Sequence, residues 1–95
     1  MFHFNLEKYY FSIDDVFYRK KKSVFLVLTP NKRHIIELKG VAAEIWENLK
    51  KPISFNKLLT KLQQVYDVPN EELKKDLKNW LKEALNEKII IKKRN

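Results

Sequence analysis

The spacing of apolar residues changes midway along this chain, from a pattern typical of β-strands to one typical of helices. In the first half, runs of β-branched and aromatic residues are separated by short polar stretches, which indicates strands. In the second half, apolar residues recur every three or four positions, which indicates amphipathic helices. Strands followed by helices predict an α+β domain in which helices pack on one face of a small antiparallel sheet.

The first half contains three predicted strands. Residues 16–19 are rich in β-forming side chains and are followed by a polar turn at residues 20–22. Residues 24–28 are apolar on both faces, so we expect them to form the middle strand. Residues 34–38 follow a short loop and are expected at the edge of the sheet, where backbone N–H and C=O groups stay unpaired unless they are used.

The second half contains three predicted helices. Residues 50–52, which end in Pro, stop the first helix. Ser54 is a good N-cap for the second. We expect Asn70 to cap the third, whose first turn carries two glutamates. Residues 89–91 should close the chain as a short strand or as an extended tail that packs on the core.

No linker, repeat or low-complexity tract divides the chain. We therefore expect a single domain over residues 1–95, with residues 1–11 as an irregular or extended arm. The helices resemble a helix-turn-helix unit in which a sheet takes the place of the wing, which predicts a winged helix-turn-helix-like fold: a three-stranded antiparallel sheet followed by three helices.

The residue types present exclude most kinds of enzyme active site. The chain has no Cys, which removes thiolate ligands, disulfides and a cysteine nucleophile. Its single Gly excludes a glycine-rich phosphate loop, and its two His lack partners at metal-ligand spacing. No apolar stretch is long enough to span a membrane, and the N-terminus lacks the features of a signal peptide. We therefore expect a cytoplasmic protein that is not an enzyme and has no cofactor, metal or membrane partner.

The formal net charge of +8 favours an acidic partner, which could be a nucleic acid or an acidic peptide. A winged helix could bind duplex DNA through its third helix, with residues 20–22 in a basic wing. However, the third helix opens with Glu71 and Glu72, and Asp76 follows one turn later, so carboxylates would face the phosphates. Nucleic-acid binding therefore stays as the alternative, and we favour a peptide.

An exposed edge strand beside a helix can bind an extended peptide as one more strand. Main-chain hydrogen bonds would provide affinity, and pockets for alternate side chains would provide specificity. Along the predicted edge, Ile36 and Leu38 would face the core, while Ile35 and Glu37 would face the other side. The third helix could form the second wall of the groove.

Several short motifs follow one another along residues 12–92. Leu38 precedes a polar residue and a helix start of small residues, which begins at Gly40 and continues to an Ile-Trp pair ending at Trp46. A helix cap at Ser54, a Tyr at the end of the second helix and a closing apolar segment come next. This succession resembles the PqqD-like family, the precursor-peptide recognition elements of pathways that make ribosomally synthesised and post-translationally modified peptides (RiPPs).

The resemblance implies a leader-peptide-binding chaperone. In such proteins the leader binds as an antiparallel strand on the third strand, and the third helix closes the groove. Two basic residues could pair with acidic leader residues, and three apolar residues of the third helix would line the groove unless they belong only to that helix's core stripe. The peptide-binding residues that the resemblance implies are Arg33, His34, Ile35, Ile36, Glu37, Leu38, Leu73, Lys74, Leu77 and Trp80, with Arg33 and Lys74 as the basic pair.

The resemblance also implies a modifying enzyme as a second partner, either a radical-SAM protein or a leader peptidase. The sequence favours neither enzyme over the other. The protein would raise the local concentration of the precursor beside that enzyme and take no part in the chemistry. Pairing of two exposed strand edges could also produce a homodimer.

Overall fold

The computed structural model describes residues 5–30 and 34–94. Three helices and two antiparallel sheets of three strands each are present in these residues, so the predicted α+β class is confirmed. In chain order the elements are a 3₁₀ helix at Leu6–Lys8, β1 (Tyr9–Ile13), β2 (Tyr18–Lys21), β3 (Val24–Leu28), β4 (Ile35–Leu38), α1 (Val41–Asn48), β5 (Ile53–Ser54), α2 (Phe55–Val65), α3 (Asn70–Asn86) and β6 (Ile90–Arg94).

The first sheet has the strand order β2-β3-β4, which confirms β3 as the middle strand. Phe25 and Val27 of β3 are buried against the helices. The predicted turn at residues 20–22 is wrong for its first two positions, because Lys20 pairs with Phe25 and Lys21 with Val24. The turn lies at Lys22, whose φ of 58° is in the left-handed region. Cross-strand pairing with β3 therefore outweighs the weak β-propensity of lysine.

β4 lies at the side of the first sheet, and among the described residues it pairs with β3 alone. Its side chains alternate as predicted. Leu38 is buried and Ile36 half-buried on the inner face, while Ile35 and Glu37 are exposed on the outer face. The predicted edge strand is thereby confirmed, although it begins one residue later than expected.

A second sheet, with the order β5-β1-β6, was not predicted. Residues 1–11 were expected to form an irregular or extended arm, but β1 starts at Tyr9 and is the central strand of this sheet. Its Phe11 is buried in the core. β6 pairs with β1 along its whole length, so the closing segment is a strand and not a tail. The charged end of β6 at residues 92–94 gives no strand pattern, because its pairing with β1 decides its conformation.

Helix α1 ends at Asn48, just before the predicted stop at residues 50–52. Ser54 caps α2 as expected, since its Oγ accepts a hydrogen bond from the Lys57 N–H at 3.2 Å. The predicted cap of α3 is wrong: Pro69 is the N-cap residue, and Asn70 already lies in the helix. The Asn70 side-chain oxygen accepts a hydrogen bond from the Gln63 amide, which ties the start of α3 to α2.

The core lies where the helices meet the inner faces of the two sheets. Trp46 of α1 is fully buried, and the ring of Tyr18 packs edge-on against it with 5.3 Å between ring centroids.

None of the helices within residues 5–30 and 34–94 combines the length and the apolar character that a membrane crossing requires.

Gly40 connects β4 to α1 and takes φ 63° and ψ −131° as the residue that caps the helix. This region of backbone conformation is strained for residues that carry a Cβ atom. Apart from Gly40 and its two chain neighbours, no heavy atom of the described residues lies within 4 Å of the position that a Cβ would occupy, so backbone conformation and not crowding demands glycine here.

We expect Gly40→Ala to lower the free energy of unfolding by about 1–3 kcal/mol, because alanine must be held in a conformation that it rarely adopts. Urea denaturation followed by circular dichroism measures the change. Lys51→Ala, at an exposed position with negative φ, is the matched control and should leave the midpoint nearly unchanged. Equal midpoints for the two variants would contradict the prediction.

Candidate functional site

The backbone of β4 has its polar groups directed alternately to β3 and to the free edge. The Thr29 N–H donates to the His34 carbonyl at 3.2 Å, while the Leu28 N–H donates to the Phe17 carbonyl at 2.9 Å, on the side of β2. Because paired residues alternate between hydrogen-bonded and non-hydrogen-bonded positions in an antiparallel ladder, Ile36 bonds to β3. The N–H and C=O groups of Ile35 and Glu37 therefore point away from the sheet.

A hollow of about 440 Å³ lies between β4 and the C-terminal half of α3. Its apolar lining comes from the inner face of β4, from α1, from α3 and from the residue that precedes β6. Carboxylates and one amide provide its polar lining. The lining residues are Ile36, Glu37, Leu38, Ala42, Trp80, Glu83, Ala84, Asn86, Glu87 and Ile89.

A second hollow of about 240 Å³ adjoins the first and shares Ala42 and Trp80 with it. It lies beside α1 and the N-terminal half of α3. Burial raises the pKa of the Tyr66 hydroxyl in its wall, and the nearby Glu44 carboxylate raises that pKa further. The other lining residues are Val41, Ile45, Val68, Glu72, Leu73 and Asp76.

One polar contact connects the two walls of the first hollow. The His34 Nε2 atom, just before β4, lies 3.7 Å from the Glu87 Oε1 atom at the C-terminal end of α3. Both side chains are about half exposed. The contact lies at the end of the groove where β4 begins. A protonated His34 would form an ion pair with Glu87 there.

The structure brings together only some of the residues predicted to bind a peptide. Ile36, Glu37, Leu38 and Trp80 line the first hollow, and Leu73 lines the second. His34 and Ile35 lie at the start of the same edge, with the Ile35 side chain on the outer face. Arg33 lies outside the described residues.

The other two predicted residues lie elsewhere. Leu77 is buried in the core and lines neither hollow, so it has the role of an ordinary core residue. Lys74 points to the N-terminal segment: its Nζ lies 3.3 Å from Glu7 Oε1, and the Lys78 Nζ lies 3.0 Å from Glu7 Oε2. These contacts lower the pKa of the Glu7 carboxyl, chiefly through the hydrogen bond from Lys78.

Sequence reasoning missed the carboxylates of the groove, although a signal for them exists. Glu72, Asp76, Trp80, Glu83 and Glu87 follow one another at intervals of three or four residues, so they lie on one face of α3. The sequence of α3 alone does not show that this face lies beside β4, and that position makes its carboxylates part of the groove.

The fold and the site together define a small α+β domain in which β4, unpaired on one side within the described part of the chain, lies beside α3. The family described as "Coenzyme PQQ synthesis protein D (PqqD)" matches residues 25–90, well over half of the chain. This chain therefore belongs to the PqqD family, and the resemblance seen in the sequence is confirmed.

Among solved structures, TbiB1 in complex with the TbiA(beta) leader peptide has a similar fold. The TM-score is 0.76 at 19% sequence identity, and the match covers 83% of this chain and 93% of that one. No curated protein matches the chain.

We expect Glu7→Gln to lower the free energy of unfolding at neutral pH by less than about 1 kcal/mol, since both ion pairs of Glu7 are partly exposed. The pKa of the Glu7 carboxyl is lowered in the folded state, so its contribution is fully present above the ordinary glutamate pKa and is lost as the pH falls through the lowered folded-state pKa. Urea denaturation at neutral pH and near pH 3 measures both values.

Asp67→Asn removes an exposed carboxylate for which the described residues offer no ion pair, and it serves as the control. A difference between wild type and Glu7→Gln that stays the same at both pH values would count against the Glu7 contacts.

Proposed function

We propose that this protein binds the leader segment of a ribosomally synthesised precursor peptide as an added strand on β4, and presents the precursor to a modifying enzyme. The observation that carries this proposal is that the Ile35 and Glu37 backbone groups point away from the sheet, beside the first hollow between β4 and α3. Membership of the PqqD family and the similar fold of a leader-peptide complex support it.

The guest would bind through its own main chain. Ile35 and Glu37 each offer one N–H donor and one C=O acceptor, so four hydrogen bonds are available to an extended peptide. Each contributes a net stabilisation of about 0.5–1.5 kcal/mol, whatever the guest sequence. Specificity must then come from guest side chains on the inner face, which would lie over Trp80 and Ala84 of α3.

The proposed binding residues are those of the edge and of the two hollows. From the sequence prediction we retain His34 to Leu38, Leu73 and Trp80. Arg33 remains a proposal that follows from the family resemblance alone. To these we add Ala42 and the groove-facing carboxylates of α3.

The second partner is proposed to be a tailoring enzyme, either a radical-SAM maturase or a leader peptidase. Holding the leader on this domain would place the rest of the precursor at a high effective concentration beside the enzyme. This role needs a free edge and a groove, and it needs no catalytic group on this chain.

Proline substitutions at neighbouring positions of β4 test the strand addition. Ile35→Pro removes an N–H that faces the free edge, so the domain should fold and lose peptide binding by tenfold or more, about 1.4 kcal/mol. Ile35→Ala keeps that N–H and should retain most of the affinity. Ile36→Pro removes a donor to β3 and should lower the free energy of unfolding by about 1–3 kcal/mol.

The probes are synthetic peptides that tile the short reading frames neighbouring the gene for this protein, with calorimetry for affinity and amide chemical shifts for location. Shifts along Ile35–Leu38 are expected. Equal affinity of Ile35→Pro and wild type would eliminate strand addition. Steeply salt-dependent binding of duplex DNA without peptide binding would favour the nucleic-acid alternative. A stable dimer whose β4 amides are already protected would mean that a second copy occupies the edge.

The two tryptophans provide an independent readout of groove occupancy. Trp80 lines both hollows and is half-buried, whereas Trp46 is fully buried away from them. In Trp46→Phe, the remaining Trp80 emission should shift to shorter wavelength on peptide binding, because the guest removes water from the indole. In Trp80→Phe, the Trp46 emission should not change, and a shift there alone would place the peptide elsewhere.

A further inference from the structure

The groove beside β4 has a charge opposite to that of the protein. The chain contains 20 Lys and Arg against 12 Asp and Glu. Nevertheless, neither a Lys nor an Arg of the described residues lines either hollow, while four carboxylates of α3 do: Glu83 and Glu87 in the first hollow, and Glu72 and Asp76 in the second. Both hollows are therefore acidic, although basic residues outnumber acidic ones in the chain.

Helix α3 separates its charges by face. At 100° per residue, Glu72, Asp76, Trp80, Glu83 and Glu87 fall within a sector of about 80°. Lys74 and Lys78 of the same helix lie on the far side of its core stripe, where both bind Glu7. One aromatic side chain is therefore flanked by a pair of carboxylates on each side along the groove.

This arrangement is unfavourable for the helix itself. Glu72 with Asp76, and Glu83 with Glu87, are like charges four residues apart, which destabilise a helix. The second pair also lies at the C-terminal end, where the helix dipole disfavours negative charge. Apart from the contact between His34 and Glu87, the described residues offer these four carboxylates no ion pair.

We propose that the peptide captured on β4 carries Lys or Arg side chains on both sides of an apolar residue that packs against Trp80. This inference rests on the proposed function and specifies the substrate class of the same site. Alternate residues of a strand are about 6.7 Å apart, and a helical turn of four residues rises about 6 Å. Inward-facing guest positions therefore match the spacing of Trp80 and the carboxylates along α3.

A basic guest is the opposite of the acidic guest that the net charge of +8 favours. Lys74, one of the two residues expected to bind that guest, faces Glu7 on the other side of α3. A basic guest would supply the counter-charges that α3 lacks on its groove face.

Selection from a library of displayed random peptides tests the substrate class without knowledge of the natural leader. The full-length wild type is the target, and Ile35→Pro serves to subtract peptides that bind independently of the edge. Edge-dependent peptides should be enriched in Lys and Arg at positions two residues from an apolar residue. Selection on Glu83→Lys/Glu87→Lys should shift the enrichment toward Asp and Glu.

The outcomes separate this inference from the function on which it rests. Edge-dependent peptides with neutral or acidic flanks would overturn the basic substrate class and leave strand addition intact. A selection that returns no edge-dependent peptide would overturn both.

Carboxylate-to-amide variants provide a second test with opposite effects on binding and folding. Glu83→Gln/Glu87→Gln should weaken binding of a selected basic peptide by up to about fivefold per position, while raising the urea midpoint because the helix end loses its unfavourable charge. Glu71→Gln, on the lysine side of α3, is the matched control and should leave affinity unchanged. Unchanged affinity in the double variant would overturn the inference.

Discussion

Half of the backbone polar groups of β4 find no partner strand among residues 5–30 and 34–94, and the groove depends on this constraint. β3 forms hydrogen bonds with the backbone of Ile36 and of alternate residues along β4. The backbone N–H and C=O groups of Ile35 and Glu37 must therefore bind water or a guest peptide. The other strands of the described chain are engaged elsewhere: β1 lies between β5 and β6 in the second sheet. No described segment of the chain pairs with the free edge of β4, because β1, β5 and β6 pair with one another in the second sheet.

Helix α3 connects the stability of the fold to the chemistry of the groove. Its core stripe, which includes Leu73, Leu77 and Leu81, is buried against the sheets and α2. On one side of that stripe, lysines bind Glu7 and fix the 3₁₀ helix at the start of the described chain. On the other side, carboxylates face the free edge. The same buried stripe fixes the rotation of the helix, so it determines which charges the groove receives.

Local pattern was enough to predict the first sheet and the start of α2. A run that is apolar on both faces, such as β3, fits the middle of a small sheet. A Ser before an amphipathic segment, such as Ser54, is a typical helix N-cap. The second sheet could not be predicted in this way, because the charged residues of β6 become a strand only through pairing with β1. The groove carboxylates depend in turn on which flank of α3 faces β4, a relation that the packing of both elements determines.

A basic guest is compatible with a protein of net charge +8 because the net charge of the protein and the carboxylates of the groove act over different distances. At physiological ionic strength the Debye length is about 8 Å, so lysines on the far side of α3 are largely screened from a peptide in the groove. The carboxylates beside that peptide act within a few ångströms, well inside one Debye length, where salt screens a charge pair little. Net charge therefore governs solubility and long-range encounter, whereas the face of α3 that lies along β4 governs which extended peptide stays bound.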